Sequence, residues 1–304
     1  DEGVEQRYTF ADIKEQSDRV ASFFLQLGIK RGDCVMMMLK RRVEFWFTIV
    51  ALHKIGAVAI PATHLLTPKD LIYRNNSAGI RMIVTADDKL IMQHVEDSLE
   101  QSPTVEFIVS TGAEVSGKWI SMAKGKENAP QFERPEVVNT NSDISLLYFT
   151  SGSSGQPKMV AHNFLYPLGH IVTAKYWHNV HEKSLHLTVA DTGWGKAVWG
   201  KLYGQWIVGA AVFVYDHEKF TPADILAVMA KYKVTSFCAP PTIYRFLIRE
   251  DLSKYDLSSL EYCTTAGEPL NPSVFDSWKN STGLTIYEGF GQTETTLTIA
   301  TFPW

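Results

Sequence analysis

The stretch Tyr148-Phe149-Thr150-Ser151-Gly152-Ser153-Ser154-Gly155-Gln156-Pro157-Lys158 places four hydroxyls (Thr150, Ser151, Ser153, Ser154), two glycines and one lysine within nine positions. Glycines let the backbone turn tightly, and N–H groups exposed in such turns bind anions. The hydroxyls add rotatable donors and Lys158 adds a positive charge. This is the chemistry of a polyphosphate grip. It is not a Walker loop, which needs Gly-Lys-Ser/Thr adjacent at a helix start; Gln156-Pro157 separates Gly155 from Lys158 here. A flexible Gly/Ser linker is the competing reading. It fits poorly between the apolar run Ile144 to Tyr148, which reads as a buried strand, and a helix expected from about Asn163.

Three further segments carry chemistry. Tyr287-Glu288-Gly289-Phe290-Gly291-Gln292-Thr293-Glu294-Thr295 follows a strand and offers a hydroxyl at Thr293 and a hard oxygen ligand at Glu294. Magnesium is held by one or two carboxylates plus substrate phosphates, so this pair beside a lysine-bearing phosphate loop suits MgATP. Alone, Thr293-Glu294 reads equally well as a helix cap. Thr264-Thr265-Ala266-Gly267-Glu268-Pro269-Leu270 has no bulky side chain before Glu268, so a planar base can lie against its backbone. A plain strand-to-helix turn has the same residues. Asp191-Thr192-Gly193-Trp194-Gly195-Lys196-Ala197-Val198-Trp199 carries two tryptophans that serve a pocket or the core equally well.

The elements that must position these segments alternate along the chain. Thr9-Phe10-Ala11-Asp12 is a capping box opening a helix, with apolar residues at helical spacing until Gly28. Strands are expected at Cys34 to Leu39, Ala57 to Pro61, Arg81 to Thr85 and Val105 to Val109, with helices at Val43 to Ile55, after Thr67-Pro68, and at Lys89 to Leu99. Lys40-Arg41-Arg42 reads as a solvated loop. Residues 112–143 are polar and weakly periodic, a long connection between subdomains. Strands then recur at Leu185–Val189, Ala211–Tyr215, Val234–Cys238, Glu261–Ala266 and Leu284–Tyr287. Helices fall between them at Ala197 to Ile207, Pro222 to Tyr232, Thr242 to Arg249 and Pro272 to Asn280. The expected fold is α/β: two subdomains, residues 1–140 and 141–304, each a mostly parallel sheet flanked by helices, the second carrying the phosphate loop. Ligands bind outside the carboxyl ends of such strands. That rule puts the loops at Thr150–Lys158, Asp191–Ala197, Ala266–Leu270 and Glu288–Thr295 on one rim.

Bulk properties narrow the classes. The chain has 304 residues, 45% of them hydrophobic and 20% charged, which is ordinary globular composition. With a net charge of -4, nothing suggests a nucleic-acid binder. Cys34, Cys238 and Cys263 are widely spaced, which argues against a disulfide scaffold or zinc site and fits a reducing cytoplasm. No apolar segment is long enough for a membrane span. The acidic start Asp1-Glu2-Gly3 is unlike a signal peptide.

The loop at Thr150 and the Gly-Gln-Thr-Glu run at Gly291 resemble the two signatures of the adenylate-forming, AMP-binding superfamily, which includes acyl-CoA synthetases. Asp191-Thr192-Gly193-Trp194 and Cys238-Ala239-Pro240-Pro241-Thr242 are most similar to the medium-chain acyl-CoA synthetases. The resemblance runs along nearly the whole chain. It implies that ATP, magnesium and coenzyme A act with a carboxylic acid, through an acyl-adenylate and then a thioester. The catalytic set would be Thr150, Lys158, Thr293 and Glu294, with Glu294 the metal ligand. Nucleotide would be held by Thr150, Ser151, Gly152, Ser153, Ser154, Gly155, Lys158, Gly267, Glu268, Pro269, Glu288, Gly289, Phe290, Gln292 and Thr293. The acid would meet Trp194, Gly195, Lys196, Trp199, Ala266 and Gly291. Acetate-specific relatives have tryptophan where Gly291 stands, so an open pocket and an acid larger than acetate are expected: short branched, medium-chain or aromatic. Lys196 favours a polar or short acid, or reaches solvent.

Family members continue past the point matching Trp304 with a ribose-binding motif, a hinge and a mobile lid bearing a lysine. The 304 residues are therefore expected to be a large N-terminal domain that binds ATP without normal turnover, with apolar surface that favours association, for instance as a homodimer. Two other readings stay open: an adenylation domain loading a carrier protein, and a non-catalytic nucleotide-binding remnant.

Overall fold

A computed structural model describes residues 3–150 and 155–303. The chain divides into two units, one running through Leu165 with Thr192–Trp194 added, the other comprising Tyr166–Asp191 and Gly195 onward.

The first unit follows the order α1 (Phe10–Gln26), β1 (Cys34–Met38), α2 (Glu44–Ile55), β2 (Val58–Pro61), α3 (Pro68–Ala78), β3 (Ile80–Thr85), α4 (Lys89–Ser98), β4 (Phe107–Ser110), β5 (Ile120–Ser121), α5 (Met122–Glu127), β6 (Ile144–Thr150) and β7 (Lys158–Asn163). Reciprocal caps set two helix starts. The Asp12 carboxylate accepts from Thr9 N at 2.6 Å while Asp12 N donates back to the Thr9 hydroxyl at 3.2 Å. Thr67 and Asp70 repeat the arrangement ahead of α3, with Pro68 at the first turn. Among the described residues the strands form one seven-stranded sheet in the order β5-β4-β3-β1-β2-β6-β7, parallel except for β7. Met36, Met38, Val58, Ile60, Ile80 and Ile83 are buried in it, the continuous apolar strands that a sheet covered on both faces requires. Lys40 is not solvated as expected: it is buried, with its ammonium 2.7 Å from Asp88.

The second unit contains α6 (Tyr166–Ile171), a wider helical segment Val172–Trp177, β8 (Leu185–Thr188), α7 (Gly195–Lys201), α8 (Tyr203–Ile207), β9 (Ala211–Phe213), α9 (Pro222–Tyr232), β10 (Ser236–Cys238), α10 (Pro241–Leu247), β11 (Tyr262–Ala266), α11 (Pro272–Thr282), β12 (Ile286–Gly291) and β13 (Leu297–Ala300). Its six described strands run β13-β12-β11-β10-β8-β9, parallel except for β13. Tyr244 fills the core between Phe237 and Trp278, with ring centroids 5.4 Å and 5.0 Å away.

The α/β class holds, with two mostly parallel sheets flanked by helices. The subdomain boundary expected after residue 140 does not. Leu146 of β6 pairs with Ala59 of β2, so the strand leading into the phosphate loop belongs to the first sheet. Nor does a helix follow the loop at Asn163. The chain returns as β7, antiparallel to β6, and α6 starts only at Tyr166.

Candidate functional site

The segment expected to grip phosphate is bracketed by a paired stem. Thr150 ends β6 and Lys158 opens β7, and the two are paired across the ladder. Ser151, Gly152, Ser153 and Ser154 lie outside the described residues. Gly155 adopts φ +104, a conformation that side-chain-bearing residues rarely take. Lys158 is exposed, and among the described residues its ammonium has no hydrogen-bond or ion-pair partner. A loop closed by a paired stem, with a cation at its foot, is suited to a phosphate chain.

In the second unit, three of the expected segments meet. The Lys196 ammonium donates to the Ala266 carbonyl at 2.9 Å. Gly195 faces Thr293, whose hydroxyl stands 3.8 Å from where a Cβ would be. The Glu288 carboxylate accepts from Leu270 N at 3.2 Å, and Glu268 accepts from the Thr242 hydroxyl at 2.6 Å. Glu268 and Glu288 thus fasten the Ala266–Leu270 turn. Gly267, at φ +103 with open space around it, and Pro269 leave the exposed edge of that turn flat. Burial holds the Lys196 pKa below the ordinary lysine value, against the opposing influence of Cys238 and Glu268. Gln292 and Glu294 are exposed, Thr293 is half-buried and Phe290 is 56% exposed. Glu294 has no hydrogen-bond or ion-pair partner among the described residues, and no cluster of three His, Cys, Asp or Glu side chains occurs there. One unpartnered carboxylate suits magnesium that arrives bound to the phosphates of its nucleotide, and does not suit a cage built wholly of protein.

Trp194 lies with the first unit instead of the other acid-side candidates. Thr192 donates from its hydroxyl to the Lys40 carbonyl, and Gly193 sits against the backbone of Ala62 and Thr63, where no side chain fits. Gly195, Lys196, Trp199, Ala266 and Gly291 share the second unit.

The open floor expected at Gly291 is not there. A Cβ on Gly291 would overlap the Trp199 ring and stand 2.6 Å from the Thr296 carbonyl oxygen. The tryptophan missing from the strand is supplied by α7. Gly289 is treated alike, with Trp177 ring atoms 2.5 Å from its would-be Cβ. Trp177 donates to the Tyr287 carbonyl at 3.3 Å and Trp199 donates to the Tyr166 hydroxyl at 3.1 Å. Burial pushes the Tyr166 phenol up to about 12, so it stays protonated. Trp177 and Tyr166 were not among the expected site residues. Their sequence signal was only that of aromatic residues in a helical stretch.

Behind the two indoles lies a buried polar layer. Gln205 bonds His178 Nδ1 at 2.9 Å and donates to the Trp199 carbonyl at 3.0 Å. The His178 and His186 rings lie 4.5 Å apart, tilted by 32°, and His186 contacts the Ser236 and Thr188 hydroxyls at 2.9 and 2.8 Å. Burial lowers both imidazole pKa values, that of His186 to about 3. The unfolded chain takes up these protons near pH 6.5 and the folded chain does not. Their contribution to stability is therefore full above pH 6.5 and is lost as pH falls, for His186 down toward 3 at about 1.4 kcal/mol per pH unit, with His178 acting in the same direction. Urea midpoints at pH 7.5 and 5.5 check this. An unchanged midpoint would mean that the histidines are not buried in the neutral form.

Comparison with known proteins places the chain in one family. Residues 2–304 match the AMP-binding enzyme family, and the chain belongs to it. It is 35% identical over 311 residues to the acyl-coenzyme A synthetase ACSM3, mitochondrial, of Homo sapiens, covering 99% of this chain and 51% of that one. It is 35% identical over 302 residues to the acyl-coenzyme A synthetase ACSM5, mitochondrial, of Rattus norvegicus, with 99% and 52% covered. The chain thus spans about half the length of the curated relatives it matches. Among solved structures, the anthranilate CoA ligase AuaEII in complex with anthranoyl-AMP superposes with a TM-score of 0.89 at 25% identity, over 98% of this chain and 57% of that one. A Brucella canis acyl-CoA synthetase shares the fold, with a TM-score of 0.88 at 24% identity over 98% of this chain and 54% of that one. The expected cytoplasmic setting is overturned, because these curated relatives are named as mitochondrial proteins. Reduced cysteines do not separate a cytosol from a mitochondrial interior, since both keep thiols reduced.

Proposed function

We propose that this chain is the nucleotide- and acid-binding part of an AMP-forming acyl-CoA synthetase. The observation that carries this reading is Lys158, a cation with no partner among the described residues, on the paired stem that closes a hydroxyl- and glycine-rich sequence, within a chain that matches the AMP-binding family throughout. A carboxylate, already ionised at neutral pH, attacks the α-phosphorus of ATP and pyrophosphate leaves. The coenzyme A thiol then attacks the acyl-adenylate and releases AMP. Lys158 and the hairpin hydroxyls hold the β- and γ-phosphates, and Thr293 donates to the α-phosphate. Gly267 and Pro269 receive the adenine on a flat edge held by Glu268 and Glu288, with Gly289 and Phe290 on its other side. Glu294 holds magnesium, which when bound neutralises phosphate charge.

The acid lies between Lys196, Ala266, Gly291 and the Trp199 ring. Because Trp199 fills the space over Gly291, we assign a compact acid, short and branched or aromatic, in preference to a long straight chain. AuaEII, which shares the fold, is named for an aromatic acid, anthranilate. Pyrophosphate release over a panel of benzoate, 2-methylpropanoate, hexanoate and acetate, followed by thioester formation with free coenzyme A, tests the assignment. Transfer only to a carrier protein would redirect it. Because the chain spans half of its relatives, these 304 residues by themselves are expected to bind MgATP with little turnover.

Glu294→Gln should raise the magnesium concentration needed for nucleotide binding about tenfold, since a charge-assisted contact becomes a neutral one. Titrating magnesium at fixed ATP reads this directly. An identical titration curve would remove Glu294 from the metal.

A further inference from the structure

Among the described residues β7 pairs only with β6, which puts this hairpin stem at the edge of its sheet. A loop at a free edge is poorly braced unless something outside the ladder holds it. Here α3 supplies the hold. The Tyr73 hydroxyl donates to the Pro157 carbonyl at 2.8 Å, and the Tyr73 ring meets the Phe149 ring edge-on at 6.4 Å. Pro157 immediately precedes Lys158, and Phe149 immediately precedes Thr150. One side chain therefore touches both stems of the loop, each one residue from a phosphate-binding candidate. Among the described residues no other side chain hydrogen-bonds positions 155–158.

The neighbouring residue reinforces the hold. Arg74 lies over the Phe149 ring, 5.4 Å from its centroid, a distance at which a cation is attracted to the ring face. Its guanidinium is kept there by Asp70, 3.6 Å away, and by the Asp70 carbonyl at 3.2 Å. Asp70 is itself locked in the reciprocal cap with Thr67. A continuous set of contacts thus runs from the first turn of α3 to both feet of the hairpin.

We infer that Tyr73 is a positioning residue for nucleotide binding: with Arg74 it sets the direction in which Lys158 and Thr150 present themselves to phosphate. This rests on the reading of the hairpin as a phosphate grip. The hydrogen bond and ring contact of Tyr73 are with the two stems of the hairpin, so its effect is expected on ATP and not on the acid.

The test compares Tyr73→Phe, Tyr73→Ala and Lys158→Ala in the 304-residue chain, by calorimetric titration with MgATP and with benzoate and by amide hydrogen exchange. Tyr73→Phe keeps the ring and loses one hydrogen bond. It should weaken MgATP about three- to tenfold, leave benzoate affinity and the thermal midpoint unchanged, and speed exchange in the peptide spanning 155–160. Tyr73→Ala should do more of the same. If Lys158→Ala weakens MgATP while both Tyr73 variants bind it like the parent, the positioning role is overturned and the phosphate reading stands. If the parent chain does not bind MgATP, the phosphate reading fails. Exchange at 155–160 then decides the tether alone, and unchanged exchange in Tyr73→Phe overturns it. Equal losses for MgATP and benzoate would show a general structural role and overturn the inference as well.

Discussion

Lys158→Ala is expected to weaken MgATP binding by about 10- to 100-fold, the loss of a hydrogen bond to a charged group. The lysine stands at the first residue of β7, opposite Thr150, so its backbone is fixed by the ladder while its ammonium is exposed and has no partner among the described residues. Among the described residues the substitution breaks no hydrogen bond or ion pair, so the fold should tolerate it. Calorimetric titration reads the affinity and a thermal melt reads the fold. Lys158→Arg should keep part of the affinity, because the charge remains while the shape changes. A Lys158→Ala chain that melts normally and binds MgATP as tightly as the parent would falsify the phosphate assignment.

The second large effect concerns acid size. Trp199→Ala removes a buried indole and its bond to Tyr166, and should cost about 3–5 kcal/mol of stability. It also uncovers Gly291. Each methylene that enters the space is worth about 0.8 kcal/mol, or roughly fourfold in affinity. Hexanoate should therefore gain on 2-methylpropanoate by an order of magnitude or more. Trp199→Phe keeps a ring over Gly291 but loses the N–H, so it should cost less stability and shift the preference less. Affinities for the acid panel, taken only from variants with a cooperative melt, distinguish the cases. A folded Trp199→Ala chain with an unaltered order of acids would place the acid elsewhere.

Local signals marked much of this architecture. Thr9 with Asp12, Thr67 with Asp70 and Pro222 each mark a helix start where the structure has one. Apolar runs such as Val58–Pro61 and Ile80–Thr85 are strands because they must be buried on both faces. The misses share a cause: partners distant in sequence. Lys158–Asn163 lacks a strong apolar pattern, and only pairing with β6 makes it a strand. The pairing of β6 with β2 likewise moved the subdomain boundary. Gly291 read as empty space because nothing in the chain beside it fills the gap, and the indole that does comes from α7. The meeting of Lys196 with Ala266 and of Glu288 with Leu270 followed from the rule that ligand loops gather at strand carboxyl ends. The tether from Tyr73 to Pro157 follows from no rule of that kind, since a tyrosine on a half-buried helix face is ordinarily just packing.

Bare positions on β12 also limit how this protein can be re-engineered. At residues 289 and 291 the strand contributes only main chain, and the space a side chain would take there is filled mainly by the rings of Trp177 and Trp199. Added bulk on the strand would collide before it could sculpt anything. Under the proposed function, new acid specificities should therefore be sought by trimming or reshaping Trp177 and Trp199, with both glycines retained as the fixed backing plate.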